Sequence, residues 1–174
     1  MIVSFSALAD GGIDTVERFK QLYGNVRDYT SIQLLTLNGQ KYILAFWNED
    51  NDPLQLWVNI FAYSDDQLHL PVYKAYSGDV SEQLIEVAQC KLTDPRTDDL
   101  VFLSKAGHIE MIRVLHQKGR ELQLVFENGG ADVTLPTGQG EVWIKNRTGK
   151  ELTVYRWDRG SNRFVERKSL PIAF

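Results

Sequence analysis

The segment that decides the fold is Asp98-Asp-Leu-Val-Phe-Leu-Ser-Lys-Ala-Gly-His-Ile-Glu-Met-Ile-Arg-Val-Leu-His-Gln-Lys-Gly-Arg-Glu-Leu-Gln-Leu-Val-Phe126. Three runs rich in Val, Ile, Leu and Phe are separated by two short groups that end in Gly107 and Gly119. Apolar runs of this length, bounded by glycine-containing turns, are typical of β-strands joined as hairpins. The segment therefore predicts three consecutive antiparallel strands.

The same strand order occurs three times along the chain. The third strands of the three copies start at Val58, Ile109 and Leu152, which are 51 and 43 residues apart. A period of about 40 to 50 residues with four strands in each copy is typical of the blades of a β-propeller. We therefore predict an all-β protein of about three four-stranded antiparallel blades.

The N-terminal residues have a different pattern. Residues 1–9 are apolar and predict a strand, and Asp14 stands three residues before Glu17 as in a helix-capping box. The apolar spacing up to Tyr23, followed by Gly24, predicts one short helix. We expect one domain in four parts: 1–29 for this strand and helix, then repeats at 30–79, 80–129 and 130–174.

Two local signals are specific within the first repeat. Asn38-Gly39 stands between two β-rich runs, and this pair favours the two positive-φ positions of a type I′ hairpin turn. Pro71 interrupts the fourth run, and proline has no N–H to give a neighbouring strand. We therefore predict a tight hairpin at the first site and an edge strand at the second.

Composition and charge exclude several classes of protein. The chain has 174 residues, of which 43% are hydrophobic and 24% charged, with a net charge of −4. These values are ordinary for a folded soluble protein and give no basic stripe for a nucleic acid. No run approaches the roughly 18 apolar residues of a membrane span. The single cysteine, Cys90, lies in a β-rich run and is expected to be a small core residue.

Two segments carry a resemblance to a known repeat family. Leu152-Thr-Val-Tyr-Arg-Trp-Asp-Arg-Gly-Ser-Asn-Arg-Phe-Val-Glu166 resembles the outer hairpin of FG-GAP type propeller repeats, found in integrin α chains and bacterial surface proteins. Asp94-Pro-Arg-Thr-Asp-Asp-Leu-Val-Phe-Leu103 is similar to the Asp-rich segment of that family. The resemblance implies a propeller fold, a calcium-binding loop and a location outside the cytoplasm or at the cell surface.

The calcium loop of that family is only partly matched. Lys91, Thr93 and Pro95 stand where its three aspartates are expected, and Arg96 stands at the position of its glycine. Two groups of residues remain metal candidates because calcium binds clustered oxygen ligands. They are Asp50 and Asp52, in a loop with Asn48, and Asp94 with Asp98 and Asp99. The competing interpretation is that these residues form turns, since Asp and Asn bond their own backbone. No other cofactor is expected.

Aromatic and titratable residues are the remaining site candidates. Ligand binding is assigned to four tryptophans, which stack on sugars or anchor proteins in other sites, although packing between blades is the competing explanation. They are Trp47, Trp57, Trp143 and Trp157. His108 and Glu110 share a strand face and precede His116, which allows a small acid/base or metal cluster. The Gly129-Gly130 pair is expected to be a turn rather than a phosphate-binding loop.

These observations favour a binding or scaffolding module over an enzyme. We expect it to recognise a protein or a glycan through the blade loops, outside the cytoplasm. The alternative is a glycan-active enzyme with a propeller-like fold. Three blades do not close a ring, so the open faces need a cover. A homodimer through the first and third repeats, the N-terminal strand and helix, or further parts of a longer protein would each provide one.

Overall fold

The computed structural model describes Glu17, Phe19, Lys20 and residues 31–49, 52–64, 67–76, 82–135 and 140–171. These residues form an all-β structure, as predicted. The strands are β1 (Ser31–Leu37), β2 (Gln40–Glu49), β3 (Asp52–Ser64), β4 (Gln67–Tyr76), β5 (Gln83–Asp94), β6 (Thr97–Ala106), β7 (Ile109–Lys118), β8 (Glu121–Gly130), β9 (Asp132–Thr134), β10 (Glu141–Lys145), β11 (Glu151–Asp158) and β12 (Arg163–Pro171).

The strands form three four-stranded sheets, and within each sheet every strand pairs with the next one along the chain. The orders are β1-β2-β3-β4, β5-β6-β7-β8 and β12-β11-β10-β9. The three antiparallel copies predicted from the repeat are thereby confirmed. The chain divides into two compact units, of which one contains the first sheet and the other contains the second and third sheets.

In the first sheet, both local predictions are confirmed. Asn38 and Gly39 have φ values of 48° and 83°, as a type I′ turn requires. This turn places Leu37 opposite Gln40 and so sets the register of the hairpin. Pro71 lies in β4, which is an edge strand of the sheet. The register of β3 with β4 is irregular next to its partner Phe61.

The core of the first unit contains a residue from the predicted helix. Phe19 is fully buried in a cluster with Ile43, Ala45, Trp47 and Phe61, and its ring meets the Phe61 ring edge-on at 5.2 Å. The predicted strand at residues 1–9 and most of the predicted helix lie outside the described residues. Glu17, Phe19 and Lys20, which are the described residues of that segment, have helical backbone conformation. The burial of Phe19 agrees with the apolar spacing of the predicted helix.

The core of the second unit lies between its two sheets. Alternate residues of β5, β6 and β7 face alternate residues of β9 and β10 across one apolar layer. The fully or nearly buried members are Leu92, Val101, Ile112, Val114, Val133, Val142 and Ile144. Cys90 packs against this layer, as expected of a small core residue. We call this set of residues the shared core.

The crossover from the second to the third sheet corrects one prediction. Gly129 and Gly130 were expected to be a turn, but they are the last two residues of β8. A Cβ atom on Gly130 would overlap the carbonyl oxygen of Lys145 and lie 2.6 Å from Cγ2 of Ile144. Ala131 then donates its N–H to the same Lys145 oxygen at 2.8 Å. Glycine is needed here because two backbones approach closely, and not because of a positive φ.

Glu110 connects the two sheets at the edge of the third. Its carboxylate accepts the backbone N–H of Val133 at 3.0 Å, although Val133 belongs to the edge strand β9. Edge strands normally present unpaired N–H groups to other chains. The side chain of Glu110 therefore satisfies one N–H of this edge strand.

No helix in the described part of the chain has the length and the apolar character needed to cross a membrane.

Candidate functional site

The most organised polar group in the described residues is built around Asp99. This residue lies on β6 and is fully buried. Its Oδ2 accepts the backbone N–H groups of Leu92 and Thr93 at 3.1 and 2.7 Å, and its Oδ1 accepts the Thr93 hydroxyl at 2.8 Å. A buried carboxylate is stable only when it is bonded in this way. Asp99 therefore holds the end of β5 against β6.

His116 completes the group from the other side. It lies on β7, one step beyond the Leu100–Leu115 pair, and therefore beside Asp99. Its Nδ1 is 2.8 Å from Asp99 Oδ1 and 2.9 Å from Thr93 Oγ1. Because the carboxylate accepts only, we place the proton of the ring on Nδ1. The side chain of His116 remains 32% exposed. We call Thr93, Asp99 and His116 the Asp99 cluster.

The chemistry open to the Asp99 cluster is limited by which ring nitrogen is bonded. An aspartate that fixes Nδ1–H leaves Nε2 to act as a base, as in hydrolytic triads. Here the Thr93 hydroxyl also meets Nδ1, and not Nε2, so it is on the wrong side to be an activated nucleophile. All the bonds of the cluster join neighbouring strands. The cluster therefore links β5, β6 and β7 to one another through side-chain hydrogen bonds.

His108, Glu110 and His116 do not form an acid/base cluster. His108 is exposed in the turn between β6 and β7, and Glu110 is bonded to Val133. Glu110 and His116 are six residues apart on the extended strand β7, which separates them by about 20 Å. The contacts of His116 are instead with Thr93 and Asp99.

The predicted metal residues are placed separately. Asp50 lies outside the described residues, and Asp52 begins β3 but its side chain is not described. Asp94 Oδ1 accepts the backbone N–H of Arg96 at 2.8 Å and the Arg96 Nε at 3.4 Å. Asp98 is partly buried near the start of β6. Among the described residues, no three His, Cys, Asp or Glu side chains are grouped as metal ligands.

The first two predicted tryptophans pack against each other. Trp47 and Trp57 face each other across β2 and β3, with nearly parallel rings whose centroids are 6.0 Å apart. Trp47 is only 2% exposed. This arrangement favours the packing explanation for the pair.

The other two lie on opposite faces of the third sheet. Trp157 faces the side of the shared core and meets Phe164 edge-on at 5.4 Å. Trp143 lies on the outer side, where its Nε1 donates to Glu141 Oε2 at 2.9 Å. Of the four, only Trp143 is on a sheet face that is turned away from the two core clusters. It is the one predicted ligand residue that the geometry leaves in a suitable position.

Two capped turns carry exposed arginines at one end of the second unit. In the β5–β6 turn, the backbone N–H of Arg96 and then its side chain hold the pKa of Asp94 below the usual value. The charge of Arg159, in the β11–β12 turn, also lowers this pKa. The Arg96 side chain is 87% exposed, and Arg159 is exposed as well.

The β11–β12 turn is capped in the same way. Asp158 Oδ2 accepts the Ser161 hydroxyl at 2.6 Å and the Ser161 N–H at 3.2 Å, and these bonds lower the pKa of Asp158. Asn162 takes a positive φ of 52° to complete the turn. We call residues 94–97 and 158–163 the arginine turns. The sequence analysis missed them, although each begins with Asp and contains an Arg one or two positions later.

No protein-family model matches this chain, and no curated protein matches its sequence significantly. The function must therefore be argued from the residues.

Proposed function

We propose that this chain is a non-catalytic binding or scaffolding module of propeller type, which recognises a protein or a glycan through its blade loops. The three four-stranded meanders support blades of the FG-GAP type, with the N-terminal helix as an addition. The proposed location is outside the cytoplasm or at the cell surface, where proteins of that type occur. Calcium is not needed by this proposal, because Arg96 already binds the Asp94 carboxylate.

The observation that carries the proposal is the pair of arginine turns. In each turn an aspartate caps the backbone, which fixes the loop, and an exposed arginine extends from it. Loops held on a rigid sheet are the usual location of binding residues. Arginine binds carboxylate and sulfate groups through two parallel hydrogen bonds. The contact group of the partner is therefore expected to be acidic.

The test measures binding of a heparin fragment and of polyglutamate, which represent an acidic glycan and an acidic protein. The variant Arg96→Ala/Arg159→Ala should weaken binding of the preferred probe about tenfold or more, which corresponds to about 1.4 kcal/mol. The matched control is Arg147→Ala, since Arg147 is exposed in the β10–β11 turn at the opposite end of β11. Binding of neither probe, or an equal loss in the control, would refute the role of these turns.

The alternative, a glycan-active enzyme, finds less support. Glycosidases place two carboxyl groups about 5 to 10 Å apart around the scissile bond. The one strongly organised carboxylate, Asp99, is buried and already bonded to Leu92, Thr93 and His116. A substrate has no access to it. Hydrolysis of a glycan by the wild type that is lost in His116→Gln would revive the alternative.

A further inference from the structure

The third sheet has one face on the shared core and a second, outer face. Strand alternation and register place five apolar residues on the outer face, in neighbouring strands. They are Trp143, Leu152, Val154, Val165 and Leu170. None of them belongs to the shared core. Val154 is 7% exposed beside its cross-strand partner Trp143, and the other four are partly exposed. Single apolar residues scattered over a surface are normal, but these five lie together in one strip, which is typical of an interaction site.

The charges on the outer face are divided between its two halves. The β9–β10 half carries Asp132 and Glu141 with one lysine, Lys145. On the β11–β12 half, Arg156 lies opposite Glu141, and Lys168 lies opposite Val154. Arg163 adds a third cation there. The carboxylate of that half, Asp158, is bonded within its own turn. The face is therefore acidic on one side, basic on the other and apolar between them.

We propose that a second copy of this chain binds this outer face through a two-fold axis parallel to the strands. Rotation about such an axis lays β12 of one copy over β9 of the other. The basic half of each copy then meets the acidic half of its partner, and Trp143 meets the neighbourhood of Val154. A closed symmetric pair uses the same surface twice, which this charge division satisfies. An acidic glycan or peptide would instead meet the Asp132 and Glu141 carboxylates.

The size of the face sets the strength of the pair. The four strands contain 3, 5, 8 and 9 residues, which makes 25 in all. At about 3.3 Å per residue and about 4.8 Å between strands, they cover roughly 400 Å² in each copy. The total, about 800 Å², is in the range of weak and transient interfaces. We therefore expect a weak, reversible dimer with a dissociation constant in the upper micromolar range. This inference does not depend on ligand binding by Arg96 and Arg159.

Sedimentation velocity over a range of micromolar concentrations tests the dimer directly. Leu152→Glu should raise the dissociation constant at least about tenfold. The matched control is Leu124→Glu, because Leu124 is 43% exposed on the second sheet, and it should change the constant less than about twofold. Circular dichroism of both variants checks that each is folded. A wild type that stays monomeric at every concentration, or equal effects of the two substitutions, would overturn the proposal.

A charge exchange distinguishes this face from any other dimer contact. Glu141→Arg makes the acidic half basic, and Arg156→Glu makes the basic half acidic. Each variant alone should be monomeric because like charges then face each other. Mixing the two should restore a dimer that contains one copy of each, because opposite charges then meet at both positions. Failure of the mixture to form that heterodimer, with both variants folded, would show that the two-fold arrangement is wrong.

Discussion

Replacement of Asp99 tests whether the Asp99 cluster holds the second sheet together. In Asp99→Ala, four hydrogen bonds are lost: two from the backbone of β5, one from Thr93 and one from His116. The Thr93 hydroxyl and the His116 ring are 2.9 Å apart and can bond each other. The N–H groups of Leu92 and Thr93 have no such substitute, and each buried unsatisfied donor costs about 1 to 3 kcal/mol.

The expected loss of unfolding free energy in Asp99→Ala is therefore about 4 kcal/mol, a large part of the 5 to 15 kcal/mol typical of a domain. Asp99→Asn should cost only about 1 to 2 kcal/mol. Its carbonyl can accept both backbone N–H groups, while its amide donates to Thr93 and to the other tautomer of His116. What is lost is the charge of the acceptor. A larger loss of unfolding free energy in Asp99→Ala than in Asp99→Asn would show that the unsatisfied backbone N–H groups account for most of the loss.

The measurement is urea unfolding at neutral pH, with the slope against urea checked for constancy among the variants. Glu166→Ala is the control, since Glu166 is exposed on β12 and its loss should change the free energy by less than about 0.5 kcal/mol. If Asp99→Ala lowered the unfolding free energy by less than about 1 kcal/mol, the Asp99 cluster would not be holding the second sheet together. Equal losses of unfolding free energy in Asp99→Ala and Asp99→Asn would mean that the lost negative charge, and not the unsatisfied N–H groups, causes the destabilisation.

Four further outcomes are expected. Gly130→Ala should destabilise the chain by at least about 3 kcal/mol in urea unfolding, because its Cβ meets a backbone oxygen that cannot move aside; a loss under about 1 kcal/mol would contradict that packing. The thiol of Cys90, whose pKa burial raises to about 11, should react with a disulfide reagent slowly when folded and rapidly in urea; equal rates would refute its burial. Tyr42→Phe should leave unfolding free energy unchanged or higher, because its buried hydroxyl has no partner among the described residues; a loss above about 1 kcal/mol would reveal one. Folding lowers the pKa values of Asp94 and Asp158, so the stability that these carboxylates add is present above their unfolded pKa of about 3.9 and is lost as pH falls through the folded values. Titration of the carboxyl groups by NMR should give a pKa below that reference for both residues. A pKa at or above it would contradict the capping hydrogen bonds.

The sheets were predictable because their signals are local. Asn38-Gly39 can be read directly, since few residue pairs accept two positive φ values. Pro71 marked its strand as an edge for a similarly local reason, the missing N–H. The repeat added the number of sheets, because each copy must have the same strand order. These features need no knowledge of which side chains meet across strands.

The Asp99 cluster was not predictable in the same way. Its members are 6 and 17 residues from Asp99, on different strands, and they meet only because the register sets all three on one side. The one available signal was a carboxylate directly before the apolar run Leu100 to Leu103, where burial forces it to find donors. Gly130 was misread because a close approach of two backbones leaves no mark in the sequence beyond the glycine itself.

The shared core limits where the chain can be divided into fragments that fold. It takes four of its buried residues from β5, β6 and β7 and three from β9 and β10. A chain cut after Gly130 would leave Val101, Ile112 and Val114 facing water, at a cost of about 1.5 to 3 kcal/mol for each side chain. The repeat of the sequence and the unit of folding therefore have different boundaries. Domain shuffling or truncation experiments should keep residues 84–171 in one piece, because either sheet alone lacks the partner that makes it a folded body.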